Sequence, residues 1–251
     1  MNEEDLRAWL NQDIRELLNE IELTISVRFT LWTKDFYACQ VHKNEDSTLR
    51  EVEIYYKVPL SQAKFAHELL HAKTSIILGD NTIMLSVERP SLPYVFLTKH
   101  EHISNIGNVC EHNIFFPNYL AMGFAEEDSF EQPIDLEDLR SQLSFLSTHY
   151  LRENGRYSVN RVFNYLSLLF SFLFYPNDER FKKEVKQLRK IDVSLFSRVK
   201  KLKDICVNME IIPDNRECLQ DAYLDFANDM NDWLSKAFKG ITLPPYNPSS
   251  Y

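Results

Sequence analysis

The 251-residue chain is acidic and rich in apolar side chains, and both properties limit its function. Apolar residues make up 44% of the chain and aromatic residues 13%, which is enough to bury a substantial core. The formal net charge of −9 argues against binding to nucleic acid or to an anionic membrane surface as the main activity. We therefore expect neither nucleic acid nor membrane among its ligands.

The cysteines and the first residues of the chain indicate the cellular compartment in which the protein is expected. The four cysteines are widely spaced and include no C-x-x-C pair, which suits a reducing environment better than a disulfide framework. The start of the chain, Met1–Asp5, is acidic, whereas a signal peptide begins with basic residues and an apolar run. The expected compartment is the cytoplasm.

The first half of the chain predicts a mixture of helix and strand. From about Glu4 to Leu23 apolar residues recur at helical intervals, so an amphipathic helix is expected there. The segments Thr24–Val41 and Glu51–Val58 are rich in β-branched and aromatic residues, which favours two strands joined by a polar turn. A further strand is expected over Asn81–Arg89.

Two helices are expected around the middle of this half. Leu60–Leu78 contains no Gly or Pro, Ser61 is a suitable N-cap, and Gly79 is a natural residue just beyond the helix end. A second helix is expected from about Thr98 to Phe116, where Pro117 disturbs or ends it.

Beyond Gly123 the apolar spacing becomes helical, and the expected fold class is α+β. The most apolar run, Val162–Tyr175, is shorter than the roughly 18 to 20 residues that cross a bilayer, so we expect a buried core helix. We divide the chain into residues 1–124, a mainly helical region 125–242, and an extended proline-rich tail 243–251. The helices expected in the second region are Leu136–Tyr150, Ser158–Tyr175, Asp178–Arg189, Val193–Met209 and Glu217–Phe238.

One short segment of the helix Leu60–Leu78, H-E-L-L-H, points to metal chemistry. Residues four apart share a helix face, so His67 and His71 present two imidazoles to one point, as a tetrahedral Zn²⁺ requires. Glu68 is placed to take a proton from an attacking water and to deliver it to a leaving amine. The surrounding residues are apolar, and burial of such groups without a partner or metal is costly. The segment therefore predicts a zinc site with Glu68 as catalytic base.

A third ligand is expected from the second helix, where Glu111 and His112 are both candidates. We prefer Glu111, because a carboxylate from a downstream helix is the arrangement of the gluzincin metallopeptidases, which this region resembles. His112 is the alternative, and His100 and His102 are weaker candidates. Cys110 could also bind zinc, but a lone helical cysteine is more often a small buried hydrophobe.

The sequences around these residues, F-A-H-E-L-L-H-A and E-H-N-I-F-F-P-N-Y-L, resemble the ImmA/IrrE family of zinc-dependent peptidases. The family pattern is H-E-x-x-H followed by E-A-N-x-F-A-x-x-L-L. The resemblance places Glu111 on the ligand glutamate, Asn113 and Phe115 on the following Asn and Phe, and Leu120 on the second Leu. The chain has His112 where the family usually has Ala.

This resemblance implies a zincin-like N-terminal half, in which a small sheet accompanies an active-site helix and a ligand helix. It also implies zinc as cofactor and hydrolysis of peptide bonds in a specific protein substrate. In a zincin the substrate lies extended along a strand, for which the segments Glu51–Val58 and Thr82–Glu88 are candidates. A peptidase also needs a group that polarises the scissile carbonyl. The sequence does not rank the candidates for that group, which are Tyr94, His102, His112 and Tyr119.

Two other functions stay open. The chain could keep zinc as a vestigial element and act through partner binding, with its helical half as the interface. Retention of Glu68 argues against this function, because a purely structural metal site has no use for a base. The second is metal-dependent hydrolysis of a non-peptide bond, although the helical H-E-x-x-H arrangement is predominantly a peptidase device.

Overall fold

The computed structural model confirms the α+β fold class. Its described part has a small three-stranded sheet and a mostly helical second half. None of the helices described is long and apolar enough to cross a bilayer. The structure describes residues 3–44, 48–79, 87–98, 106–129, 135–175 and 178–240.

The helix expected near the N-terminus is broken into two. The break falls at Asn11, whose side-chain Oδ1 accepts the backbone N–H of Ile14 at 2.9 Å and so caps the second helix. Two strands and then a third follow before the helix that carries the H-E-L-L-H segment. The elements in chain order are α1 (Glu3–Trp9), α2 (Gln12–Glu22), β1 (Ser26–Leu31), β2 (Ala38–Lys43), β3 (Leu49–Tyr56) and α3 (Gln62–Leu78).

The three strands form one sheet in the order β1-β3-β2. β1 is parallel to β3, and β2 is antiparallel to it. The expected strand Thr24–Val41 is therefore two strands, separated by a loop in which the Trp32 indole N–H donates to the Phe36 carbonyl at 2.7 Å. Because β3 is paired on both sides, the prediction that Glu51–Val58 accepts an extended substrate is wrong.

Helix α3 is buried around most of its circumference. Twelve of its seventeen residues are buried, and it packs against α2, β2 and β3. Phe65 is at the centre of this contact, with ring centroids 5.8 Å from Phe29, 5.4 Å from Tyr37 and 5.6 Å from Tyr56. Buried aromatic contacts of this kind hold the helix in one rotation about its axis.

Both ends of α3 are capped as its sequence predicts. The Ser61 hydroxyl accepts the backbone N–H three residues on at 3.3 Å, and Gly79 ends the helix with a φ of 91°. A residue far along the chain completes the C-terminal end. Arg216 donates to the carbonyls of Ile77 at 2.9 Å and Ile76 at 2.6 Å, so two helix-end acceptors that lack intrahelical partners are satisfied.

The next two helices are α4 (Leu92–Thr98) and α5 (Ile106–Ala121), and α5 does not stop at Pro117. An internal proline costs a helix about 3 kcal/mol. On either side of it, however, Phe115 and Tyr119 are almost fully buried in the same core as α3. Burial of each large apolar side chain contributes about 1.5 to 3 kcal/mol, which offsets that cost. The expected strand Asn81–Arg89 lies mostly outside the described residues.

The second half of the chain is helical, as expected. The apolar run Val162–Tyr175 forms most of a helix that is buried along its length, so the prediction of a core helix is confirmed. A short hairpin, β4 (Arg152–Glu153) with β5 (Arg156–Tyr157), precedes it. The helices are α6 (Leu136–His149), α7 (Val159–Leu173), α8 (Lys182–Ile191), α9 (Val193–Val207) and α10 (Asn215–Ala237), with short 3₁₀ helices at Glu126–Ser129 and Asp178–Phe181.

The described residues group into two compact units whose limits differ from the division at residue 124. One unit takes in the described parts of 1–80, 114–134 and 210–216, and the other takes in the rest. The first unit includes the second half of α5 because Phe115, Phe116 and Tyr119 belong to its hydrophobic core. Whether residues 1–124 and 125–242 form independent domains stays a prediction.

A carboxylate on β3 is held by a polar cluster on the sheet face opposite to the core residues Val52 and Ile54. Glu53 is 6% exposed and accepts hydrogen bonds from the side chains of Thr30, Tyr55, Arg28 and His42. Burial alone would raise the pKa of Glu53, but these hydrogen bonds outweigh it and lower the pKa to about 2.

We predict that Glu53→Gln destabilises the fold and flattens its response to acid. A carboxylate whose pKa is lowered by folding contributes stability above its ordinary pKa of 4.5, and this stability is lost as the pH falls towards 2. The variant should lose about 1 to 3 kcal/mol at neutral pH, the usual scale for hydrogen bonds to a charged group. Urea unfolding at several pH values measures both effects. Glu137→Gln, at an exposed position of α6, is the control, and an equal loss in both variants would contradict the role of the cluster.

Candidate metal centre

The two histidines of the H-E-L-L-H segment lie side by side on α3, as their spacing predicts. His67 is 7% exposed and His71 9%, and their Nε2 atoms are 3.2 Å apart. Two imidazole nitrogens on one tetrahedral zinc, each bonded at about 2.0 to 2.1 Å, are about 3.3 Å apart. This spacing fits two ligands of a common ion, and it also lets one ring donate a hydrogen bond to the other.

A third imidazole comes from α5. The ligand atoms of His67, His71 and His112 all lie within 4.8 Å of one another, and His112 is half-buried. Within the part of the chain that the structure describes, no carboxylate and no cysteine belongs to this group. The structure thus brings the alternative third ligand, His112, to the pair.

Phe115 explains how α5 delivers His112. Its ring centroid lies 5.3 Å from that of His67 and 4.8 Å from that of His71, and both imidazoles stand nearly perpendicular to it. Residues three apart share a helix face, so His112 lies one turn before Phe115 on the same side of α5. The packing of one aromatic ring against both ligands of α3 therefore sets the position of the third.

Glu111, the preferred third ligand in the sequence, is buried but is not a member of the group. Its carboxylate lies close enough to Cys110 and Tyr223 to act on both electrostatically. Burial is the main cause that raises the pKa of the Cys110 thiol, and the neighbouring Cys206 and Glu111 add to the shift. Glu111 as a zinc ligand stays a prediction that the grouping does not support, and Cys110 is a fully buried residue outside the group.

The expected base lies next to the first ligand. Glu68 follows His67 on α3 and is 6% exposed, so its carboxylate is largely removed from bulk water. It is not one of the three grouped residues, and its role as a base stays a prediction.

The four candidates for polarising the scissile carbonyl differ in where they lie. Tyr119 lies beside the pair, with its ring centroid 6.2 Å from that of His67, and it is completely buried. Within the described residues its hydroxyl has no hydrogen-bond partner. Tyr94 lies on α4, His112 belongs to the metal group, and His102 lies outside the described residues, as does His100.

The residues that carry the family resemblance also have identifiable contacts. The Asn113 side-chain amide donates to the carbonyls of Val109 at 3.0 Å and Phe174 at 2.7 Å, which ties α5 to the end of α7. Leu120, by contrast, is 45% exposed. That Phe115 packs against both histidines of α3 was not predicted from the sequence. Its position three residues after His112, on the same helix face, could have indicated this contact.

Comparison with known proteins gives no family for this chain. No protein-family model matches it, and neither a curated protein nor a solved structure matches it. The chemistry of the site is what points to its class. Three imidazoles are a donor set that suits zinc and leaves one position of a tetrahedron for another ligand.

We predict that zinc content depends on the three histidines and not on Glu111. The purified chain should bind one zinc per molecule, measured by mass spectrometry of the metal and by titration calorimetry. His67→Ala and His112→Ala should each lower the affinity by more than the roughly 10- to 100-fold that loss of an outer-shell partner costs. Glu111→Gln should bind zinc as the unchanged chain does.

The matched control is His149→Ala, which removes an exposed histidine from α6. It should leave zinc binding unchanged. Loss of zinc in Glu111→Gln together with retention in His112→Ala would overturn this ligand set and restore the one that the family resemblance implies.

Proposed function

We propose that the chain is a zinc-dependent peptidase that cleaves a specific protein substrate. The observation that carries the proposal is that the ligand atoms of two histidines of α3 and one of α5 lie within 4.8 Å of one another, with a buried glutamate directly after the first of them. A metal site of three histidines leaves a fourth position open, as catalytic zinc sites do. A structural zinc is instead closed by four protein ligands.

Zinc bound by these histidines would supply Lewis acidity to the scissile carbonyl and to the attacking water. Glu68 is proposed as the base that takes the proton of that water as it adds to the carbonyl carbon. The same carboxyl group then delivers the proton to the amine nitrogen as the C–N bond breaks, so the base is regenerated. Its position directly after the ligand candidate His67 and its burial on α3 support this role.

Tyr119 is proposed to polarise the scissile carbonyl by donating a hydrogen bond from its phenol. Support comes from its position beside His67 and from a buried hydroxyl without a hydrogen-bond partner in the described part of the chain. Burial also raises the pKa of Tyr119, with Asp128 adding to the shift, so the hydroxyl keeps its proton at neutral pH.

The substrate is proposed to lie along β2. This strand is at one edge of the sheet and packs against α3, so the backbone groups along its outer side are available for pairing. An extended peptide would add to this edge through backbone hydrogen bonds. The central strand β3 offers no such edge.

The zincin-like architecture and the relation to the ImmA/IrrE family are part of the same proposal. The order of a small sheet, the H-E-x-x-H helix and a second ligand helix supports them. A third histidine in place of the family's glutamate is the difference. If the relation holds, the substrate is a repressor or another regulatory protein.

We predict that Glu68→Gln binds zinc normally and loses peptide hydrolysis by about 10²- to 10⁴-fold, the usual contribution of a general base. The assay uses a fluorescence-quenched library of random peptides, with cleavage sites located by mass spectrometry. Zinc content is measured on the same samples, so a loss of activity is not confused with a loss of metal.

Glu16→Gln, on the exposed side of α2, is the control and should cleave as the unchanged chain does. Cleavage by Glu68→Gln at the unchanged rate would exclude Glu68 as the base. A zinc-loaded chain that cleaves no peptide would favour the alternative, a zinc-binding protein that acts through partner binding.

A further inference from the structure

Basic side chains are concentrated in one stretch of an otherwise acidic chain. Helices α8 and α9, with the single residue between them, contain nine Lys and Arg against three Asp and Glu, a net charge of +6. Since the whole chain has a net charge of −9, all its other residues together carry −15. The two helices therefore form a strongly basic segment in an acidic chain.

The two helices enclose a groove with an apolar floor. Asp192 joins them and caps α9, its side chain accepting the backbone N–H of Leu195 at 2.9 Å. The groove has a volume of about 480 Å³, with Val185 and Phe196 among its lining residues. Four cationic side chains also line it: Lys182, Lys186, Arg189 and Lys200.

Three of these cations form a stripe along α8. Lys182, Lys186 and Arg189 are exposed and follow one another at four and three residues, so they share one face over about 10 Å. Lys186 and Arg189 have no acidic partner in the part of the chain that the structure describes. The only acidic residue of α8, Glu184, is buried and accepts a hydrogen bond from Arg140 at 2.8 Å. Glu184 therefore does not neutralise Lys186 or Arg189.

The basic stripe beside an apolar floor suits a ligand that carries both acidic and apolar groups. A helix with acidic residues at intervals of three and four presents its charges at the spacing of the stripe, and apolar residues between them can contact Val185 and Phe196. A nucleic acid offers phosphates to the cations but no row of large apolar side chains to the floor, and the acidic remainder of the chain repels it. We infer that the groove between α8 and α9 binds an acidic, amphipathic segment of a partner protein. This inference does not rest on the metal centre.

The test is binding of a fluorescent model peptide to the full chain, followed by anisotropy. The peptide has about four helical turns, with Glu on one face and Leu beside it at helical spacing. Lys186→Glu combined with Arg189→Glu should weaken binding about tenfold or more, because two attractive contacts become repulsive. Binding should also weaken from about 50 mM to 300 mM salt, since exposed charges are screened.

Arg15→Glu combined with Arg50→Glu is the matched control, because it changes the net charge equally at two exposed positions outside the groove. It should bind the peptide within about twofold of the unchanged chain. Equal weakening by both double variants would reduce the effect to net charge and overturn the site. Equally tight binding of a peptide with Ser in place of Leu would exclude the apolar floor. Tighter binding of a DNA duplex, lost in the Lys186 and Arg189 variant, would assign the groove to nucleic acid instead.

Discussion

The packing of Phe65 against the sheet is the contact on which the metal centre depends. Successive residues of an α-helix are rotated by about 100°, so a residue two positions further along projects from nearly the opposite side. With Phe65 held among Phe29, Tyr37 and Tyr56, the imidazole of His67 must point away from the sheet. There it meets Phe115 of α5. A buried aromatic contact thus decides where the two histidines of the candidate metal centre point.

The same geometry explains why neighbouring residues on α5 have different surroundings. Glu111 and His112 are adjacent, so their side chains leave the helix about 100° apart and face different surroundings. The face that docks is set by Phe115, and His112 shares that face. Glu111 is buried, and its charge acts on Cys110 and Tyr223. A pattern match along the sequence cannot separate the two, because it contains no information about the rotation of the helix.

The ends of α3 could be predicted from neighbouring residues in the sequence. The continuation of α5 and the order of the strands depend on contacts between distant segments. Ser61 and Gly79 limit the helix through contacts within a few residues, which is why its ends could be read from the sequence. The continuation of α5 through Pro117 could not, since it depends on burial of aromatic residues in a core built by distant segments. The central position of β3 likewise follows from pairing with two other strands, and no local pattern predicts strand order.

The central claim is that His67, His71 and His112 together hold a zinc ion with one further position left for a light atom. X-ray absorption spectroscopy of the zinc-loaded full chain tests it most directly, because outer-shell scattering counts the imidazoles bound to the metal. The account predicts three imidazole nitrogens and one further oxygen or nitrogen, at bond lengths of about 2.0 to 2.1 Å, with no sulfur. Two imidazoles with a protein carboxylate, or any zinc–sulfur bond, would contradict it.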